Sequence, residues 1–488
     1  MSIPLSNNEF NNVPKQKPNS TSRQFYHSVW RWHFYAGLFV VPFLIILSVT
    51  GLIMLYQPVL EPQLNQDKYF VEVRDQKVSL EFQKDKVNLT YSGTIRKFIP
   101  GKTPNQSNQF EVKTSEGINL KVFTNPYTGQ ILGDINLDDN LYALSNDIHG
   151  SLLIGDLGDR LMELAASFTL LLAITGSYLW WPKQTKKLSG NRFLQALKLR
   201  KQNGKRLWWR DLHAVTGLAS LVFLVFFSLS GLAWSGIWGG KLVQAWSSFP
   251  MEKRAANFNS SPAFDSDDIH ANHKSLNTGV TENMPWNLEL SPVPNSGSKA
   301  GLTGISNGQE VNLDTVSAFA KDVGFEHFKI NLPSNETGVY TISANTMSGD
   351  IKDATDDRTL HLDQYTGKVL ADVGYDDYNW MAKSMAVGIA LHQANYSRWN
   401  LVLNTLACTL IILLSVSGIY IWWLRRPKQS FGLMAPPIPS QLGRWRNATW
   451  LMLILSLVVP LAALCLLCLL LFDALCVRFM PQFKRLYQ

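Results

Sequence analysis

Hydrophobic and polar positions divide this chain into long apolar blocks separated by two mixed stretches. Five blocks, at about 34–56, 161–181, 212–238, 401–424 and 450–472, each run close to the roughly 20 residues that a helix rising 1.5 Å per residue needs to cross a hydrocarbon layer of about 30 Å. Each is predicted to be a membrane-spanning helix. Between the first and second blocks the pattern changes to short runs, TIRKFIP, QFEVKT and LKVFTNP, that read as strands separated by polar turns. Between the third and fourth, residues 311–324 form an amphipathic helix with Asp314 near its start and Gly324 as its stop. Strands near 327–332, 339–344 and 358–364 follow it, so each mixed stretch is expected to be a small α/β domain.

Charge orients the blocks. In a soluble protein the net charge of +8 would suggest a nucleic-acid partner, but here the basic residues crowd the ends of apolar blocks, which points to a membrane and no nucleic acid. Lys15, Lys17, Arg23 and Arg31 precede the first block, nine basic residues from Lys183 to Arg206 fill the second connection, and Arg425, Arg426, Lys428, Arg444 and Arg446 mark the fourth. By the positive-inside rule these three regions are cytoplasmic, and the two mixed stretches lie outside. The predicted order is a disordered cytoplasmic tail (1–22), a first span (23–56), an outside domain (57–148), a second span (149–182), a basic cytoplasmic loop (183–207) and a third span (208–238). A second outside domain (239–391), a fourth span (392–424), a cytoplasmic loop (425–448), and a fifth helix with its tail (449–488) complete it. The stretch 257–306, rich in Ser, Asn, Gly and Pro, reads as a loop-rich insertion, and no cleavable signal peptide is evident. Pro460 interrupts the last block, and Arg478, Lys484 and Arg485 put basic charge on the outside tail, against the rule. Cys408, Cys465, Cys468 and Cys476 all sit in or beside apolar blocks, so the outside domains carry no disulfide framework.

The two halves match. His33, Gly37 and Gly51 in the first block recur with the same spacings as His213, Gly217 and Gly231 in the third. The second block ends TGSYLWWPK and the fourth SGIYIWWLRRPK, which aligns Gly176 with Gly418, and His149 and His392 precede these two blocks. Outside the spans, TNPYTGQIL (124–132) echoes LDQYTGKVL (362–370). Two spans per repeat make this a parallel duplication with its pseudo-two-fold axis along the membrane normal. Such an axis sets His33 level with His213 near the cytoplasmic face, and His149 level with His392 near the outer face.

Ionisable groups in a membrane are costly and mark function by default. Two facing imidazoles at one depth suit the two axial positions of a haem iron, whereas zinc wants four ligands and neither level offers a nearby cysteine. The four histidines are therefore expected to ligate two haems b. His33 and Gly37, with Gly51 18 residues beyond the histidine, about 27 Å along a helix, project toward one face, and side-chain-free positions let a flat ring approach the backbone. Gly51 and Gly231 would then border the outer haem, and Gly176 and Gly418 the inner one, although small residues also serve plain helix packing. Arg31 and Arg210 near the inner pair, and Arg160 and Arg398 near the outer, are candidates for haem propionates or for lipid headgroups. His270 and His273, in DSDDIHANHK, read as part of a solvated loop, and His361 as a residue of a strand surface.

The His-x-x-x-Gly helix head, the Thr/Ser-Gly-x-Tyr-x-Trp-Trp helix end and the Tyr-Thr-Gly strand turn resemble the PepSY-associated transmembrane family, over roughly 25–428. That family includes bacterial inner-membrane ferric-siderophore reductases of the ferrioxamine-reductase type. The resemblance implies an integral membrane α-helical bundle, a duplicated two-helix repeat plus a fifth helix, with two periplasmic α/β PepSY-like domains. It also implies a multi-pass inner-membrane location with a cytoplasmic N-terminus, haem on membrane histidines and an iron-uptake context. The expected activity is reduction of a ferric siderophore or other ferric chelate on the periplasmic side. No G-x-G-x-x-G or P-loop pattern occurs, so electrons are expected from a quinol or a soluble reductase. A permease for iron or siderophore, and a membrane-anchored PepSY binding or regulatory protein without redox activity, stand as alternatives.

Overall fold

The computed structural model describes residues 20–181, 197–200, 204–239, 294–297, 301–306, 308–426, 460–461 and 463–464, with side chains from residue 25 onward. Residues 1–19 of the predicted tail, most of the insertion with His270 and His273, the loop 425–448 beyond Arg426, nearly all of the fifth block, and Cys465, Cys468 and Cys476 lie outside the described residues, while 20–22, expected in the disordered tail, belong to the first helix.

Apart from one short helix in the first half, one succession of elements occurs twice among the described residues. The first comprises α1 (Ser20–Leu64), α2 (Gln66–Tyr69), α3 (Leu80–Thr90), β1 (Gly93–Ile99), β2 (Asn108–Thr114), β3 (Asn119–Thr124), β4 (Ile131–Asn136), α4 (Leu141–Ser151) and α5 (Asp156–Trp180). The second comprises α6 (Lys205–Leu232), α7 (Leu313–Asp322), β5 (Lys329–Asn331), β6 (Val339–Ala344), β7 (Arg358–Asp363), β8 (Val369–Gly374), α8 (Trp380–His392) and α9 (Arg398–Arg425).

Among the described residues four helices, α1, α5, α6 and α9, are long and apolar enough to cross a membrane. They form a bundle in which α1 and α6 each neighbour both α5 and α9, so α1 and α6 occupy opposite corners. Inside it, Ala36, Val40, Phe168, Leu171 and Leu232 are buried together. Serine and threonine hydroxyls in the bundle return their protons to their own helix, as Thr169 does to Ala165 O at 2.8 Å and Ser220 to Thr216 O at 2.9 Å. These donors are thereby met where lipid offers no partner, whereas Ser415 Oγ on α9 is buried without one. α1 outruns the apolar block that predicts it. Its last turns leave the bundle, and Glu61 there accepts from Lys121 Nζ at 2.6 Å and from the Tyr69 hydroxyl at 2.6 Å, which docks the helix on the sheet. α6 ends earlier than its block suggests, at Leu232, and the chain turns away through Ala233 and Trp234.

Where the sequence predicts two small domains, the eight strands form one antiparallel sheet in the order β4-β3-β2-β1-β5-β6-β7-β8. The seam pairs Lys97 with Asn331 and Phe98 with Ile330. A bulge at Arg96 resets the alternation of β1, so that Ile95 and Phe98 share the face of Phe110 and Val112 while Lys97 takes the other. One face is apolar: Phe98, Phe110, Val122, Ile330, Ile342, Leu360 and Leu362 are buried there under α3 and α7. Each such side chain contributes roughly 1.5–3 kcal/mol on burial. The two helices cap each other at the seam. Asp314 accepts the Leu80 and Glu81 N–H groups at 2.6 and 3.0 Å, and Glu81 accepts the Leu313 N–H at 2.7 Å, so each N-terminus receives a carboxylate from the other. The opposite face is polar, with Lys97 paired to Glu111 at 2.5 Å. His361, expected on a strand surface, lies on this face but is buried, its Nδ1 2.9 Å from Thr341 Oγ1.

β4 and β8 are each followed by a short helix that returns to the bundle. Asn140 caps α4 by accepting from Ala143 N, and Asn379 caps α8 by accepting from Ala382 N. Residues with positive φ then break the path to the next long helix, at Leu152 and Leu153 (54° and 63°) and at Ala394 (60°). His149 and His392 therefore sit near the ends of separate short helices and not at the heads of α5 and α9.

At the start of β7, Asp357 is buried and accepts the Thr346 N–H at 2.9 Å. Burial, with Asp350 and Asp356 adding to it, pushes its carboxyl up to about 7. The folded state thus keeps a proton that the unfolded state gives up near pH 4, so this group's cost is absent below about pH 4, grows as pH rises, and is complete above about 7. Asp357→Asn is expected to raise the unfolding temperature at pH 8, by an amount corresponding to at most about 4 kcal/mol, with the gain shrinking to nothing near pH 4. Thermal unfolding of both proteins across that range is the check.

Candidate functional site: two imidazole pairs at the ends of the bundle

A serine or threonine in an apolar helix commits its proton to a carbonyl one turn back, and its oxygen is then left to accept. Four such hydroxyls commit theirs: Thr50 to Ile46 O at 2.8 Å, Thr175 to Leu171 O at 2.7 Å, Ser230 to Phe226 O at 2.7 Å and Ser417 to Leu414 O at 2.8 Å. Each oxygen lies beside Nδ1 of one histidine. Thr175 on α5 meets His33 of α1 at 2.9 Å, and Ser417 on α9 meets His213 of α6 at 3.1 Å. Thr50 on α1 meets His149 of α4 at 2.9 Å, and Ser230 on α6 meets His392 of α8 at 2.7 Å. An oxygen whose proton is already spent accepts, so Nδ1 is the protonated nitrogen of each ring. For His213 the Leu414 carbonyl, 3.1 Å from Nδ1, demands the same tautomer. Nε2 is left as a bare lone pair on all four.

The histidines meet in pairs. His33 and His213, from opposite corners of the bundle, have ring centroids 6.5 Å apart with planes at 82°. His149 and His392 repeat this at 6.5 Å and 84°. A metal–nitrogen bond of about 2 Å, with the ring centre about 1 Å behind the nitrogen, puts two imidazoles on opposite sides of one metal about 6 Å apart, centre to centre. The observed spacing fits that arrangement. It also fits the tautomers, since an Nε2 lone pair is the form in which a neutral imidazole ligates a metal. Among the described residues no group of three or more His, Cys, Asp or Glu side chains gathers to hold a metal ion, so each level offers two imidazoles. The levels are far apart: Thr50 follows His33 by 17 residues on α1 and Ser230 follows His213 by 17 on α6, about 26 Å at 1.5 Å per residue.

The glycines divide into two groups. A Cβ on Gly176 would stand 3.1 Å from His33 Cε1, one on Gly418 3.2 Å from His213 Cε1 and one on Gly51 3.6 Å from His149 Cε1, so these three give room to a ring. Gly231 follows Ser230 in the same way, with open space around it. Gly37 and Gly217 are not brought to the imidazoles. Their Cβ positions would face Leu172 at 3.9 Å and Leu414 at 3.4 Å, so they serve the α1–α5 and α6–α9 contacts.

Of the candidate arginines, Arg160 lies 2.7 Å from Asp159 and 3.4 Å from Glu163, Arg210 lies 3.0 Å from Asp211, and Arg31 stacks over Tyr35 at 5.0 Å. Asp159 and Glu163 do more than balance charge, because they accept the N–H groups of Gly236, Ile237 and Trp238, each at 3.1 Å, and so fix the turn after α6. Two asparagines of α9 were not singled out by sequence. Asn400 and Asn404 donate to Leu391 O at 2.9 and 2.8 Å, and Asn404 also to His392 O at 2.9 Å, which anchors the end of α8 beneath its histidine. Asn404 inside the fourth apolar block, with Asn400 one turn before it at the block's edge, is the signal that marks them. Of the four hydroxyls, Thr175 and Ser417 stand in the helix-end motif without a role read for them and Thr50 and Ser230 stand outside it, although each directly precedes a glycine: Thr50-Gly51, Thr175-Gly176, Ser230-Gly231 and Ser417-Gly418.

The model of a protein family described as the PepSY-associated TM region matches residues 30–425. A search of curated proteins finds no match.

Thr175→Val keeps the shape of the side chain but leaves the His33 Nδ1–H without its acceptor, and is expected to cost about 1–3 kcal/mol. Thr175→Ser is expected to restore most of it. Comparing the thermal unfolding of the two variants with the parent in detergent checks this, and equal midpoints for valine and serine would show that the hydroxyl does not hold the ring.

Proposed function

Because the chain belongs to the PepSY-associated transmembrane family, in which it presents two like pairs of imidazoles, we propose that it is a haem-containing electron-transfer protein of the bacterial inner membrane. Nε2 of His33 and His213 would hold one haem b, and Nε2 of His149 and His392 a second. Haem bound at these positions supplies reversible one-electron chemistry inside an apolar bundle. The protein's part is to orient. Thr175, Ser417, Thr50 and Ser230 keep Nδ1 protonated and the rings fixed, and Gly176, Gly418 and Gly51 keep the adjoining wall open.

Two sites about 26 Å apart along one bundle suit passage of electrons from one membrane face to the other. The basic connections support a cytoplasmic N-terminus and, with it, a periplasmic sheet read as two PepSY-like halves joined edge to edge. The repeated order of elements supports a duplication whose pseudo-two-fold axis follows the membrane normal. The substrate in this reading is a ferric siderophore or other ferric chelate. One quinol, giving two electrons and releasing two protons, would reduce two ferric chelates to ferrous ones, and a soluble reductase could serve as donor instead. Ferrous iron is held less firmly by hard-oxygen chelators, so the metal is released for uptake.

The observation that carries this reading is the identical geometry of the two histidine pairs. Full-length protein purified after expression with ample iron and haem precursor is expected to show a visible haem spectrum that changes on dithionite reduction, with two haems per chain. His33→Ala and His149→Ala are each expected to lower the ratio to one. Adding ferric citrate or a ferric hydroxamate chelate to the reduced protein is expected to restore the oxidised spectrum. A colourless protein would overturn the proposal and leave the permease or the binding-module reading. A coloured protein that stays reduced would overturn the ferric acceptor alone.

A further inference from the structure

The polar face of the sheet is not alike in its two halves. From the seam outward, the first half runs Lys97–Glu111–Lys121 across β1, β2 and β3. These charges are closed on one another, Lys97 with Glu111 at 2.5 Å and Lys121 with Glu61 at 2.6 Å. The matching row of the second half runs Lys329–Ser343–Thr359 across β5, β6 and β7. Here the neighbours of the lysine are hydroxyls. Lys329 instead contacts Ser348 and, at 3.4 Å, Asp350.

Around that row lie buried polar groups with no partner. Asn331 Nδ2, Ser343 Oγ, Asn345 Nδ2 and Thr359 Oγ1 make no hydrogen bond, and their residues are 5%, 1%, 0% and 0% exposed. Strand pairing puts Asn331, Ser343 and Thr359 on one face with Lys329, and Asn345 follows Ser343 by two residues. Buried donors are almost always paired, so four orphans side by side call for an occupant. Both amide nitrogens can only donate and both hydroxyls are free to donate, while the charge of Lys329 beside them is already met by Asp350. A ligand that only accepts, as a carboxylate does, satisfies all four.

We propose that this patch is a binding site for a small oxyanion of the carboxylate class, built into the second half of the sheet alone. The carboxylate can belong to a free acid or to a chelator already holding ferric iron, and the site does not depend on the imidazole pairs. The test uses the full-length protein in detergent, with citrate, ferric citrate and inorganic phosphate as probes of its thermal unfolding. Citrate is expected to raise the midpoint of the parent. In the Ser343→Ala, Thr359→Val double variant, the same rise is expected to need at least a tenfold higher concentration. Because that variant removes idle hydroxyls, its own midpoint without ligand should not fall, which separates lost binding from lost folding. Asn331→Leu provides an independent variant of the same site. A larger response to ferric citrate than to citrate assigns the site to the loaded chelator, and an equal response assigns it to the free acid. If no probe shifts the parent, or if both variants respond as the parent does, the patch holds ordered water and the proposal fails.

Discussion

The hydroxyl-to-imidazole hydrogen bond, made four times, is the interaction on which the rest of the arrangement depends. In a membrane interior, a histidine ring must satisfy one nitrogen locally before the other can be offered to anything else. A Thr or Ser that has already given its proton to the helix backbone does this without adding a charge. Because the acceptor sits on a different element from the histidine, the same bond also ties helices together. α1 is fixed to α5 and to α4, α6 to α9 and to α8, and ring position and bundle packing become one constraint.

The sheet extends that constraint beyond the bundle. β4 leads through the Asn140 cap into the helix bearing His149, and β8 through the Asn379 cap into the helix bearing His392. The outer strands thus position the second histidine pair, while α1 reaches the sheet through Glu61. The apolar face carries the stability of the sheet, and the polar face is left to vary between halves, its row closed by ion pairs in one and lined by unpartnered hydroxyls in the other.

What the sequence made legible follows from how local each signal is. Apolar blocks of fixed length announce the bundle helices, and equal offsets between His33, Gly37, Gly51 and His213, Gly217, Gly231 announce paired histidines before any coordinates. The seating hydroxyls are harder, because Thr216-Gly217 has the same dipeptide yet its glycine packs on Leu414. The single sheet could not be read at all. Its joining strands β1 and β5 are more than 200 residues apart in sequence and share two paired positions, and no local pattern encodes so distant a partner. The bulge at Arg96 hid the face of Lys97 in the same way, by shifting an alternation that a strand pattern assumes unbroken.

That two-position join has a mechanical meaning. The strand pairs on either side of it are held over six positions in the first half and three in the second, so the shortest pairing among the eight strands runs down the middle. Across this line the Glu81 and Asp314 caps join the helix of one half to the helix of the other. The strands alone would leave two leaves, and it is the single apolar core shared across the join that makes them one body.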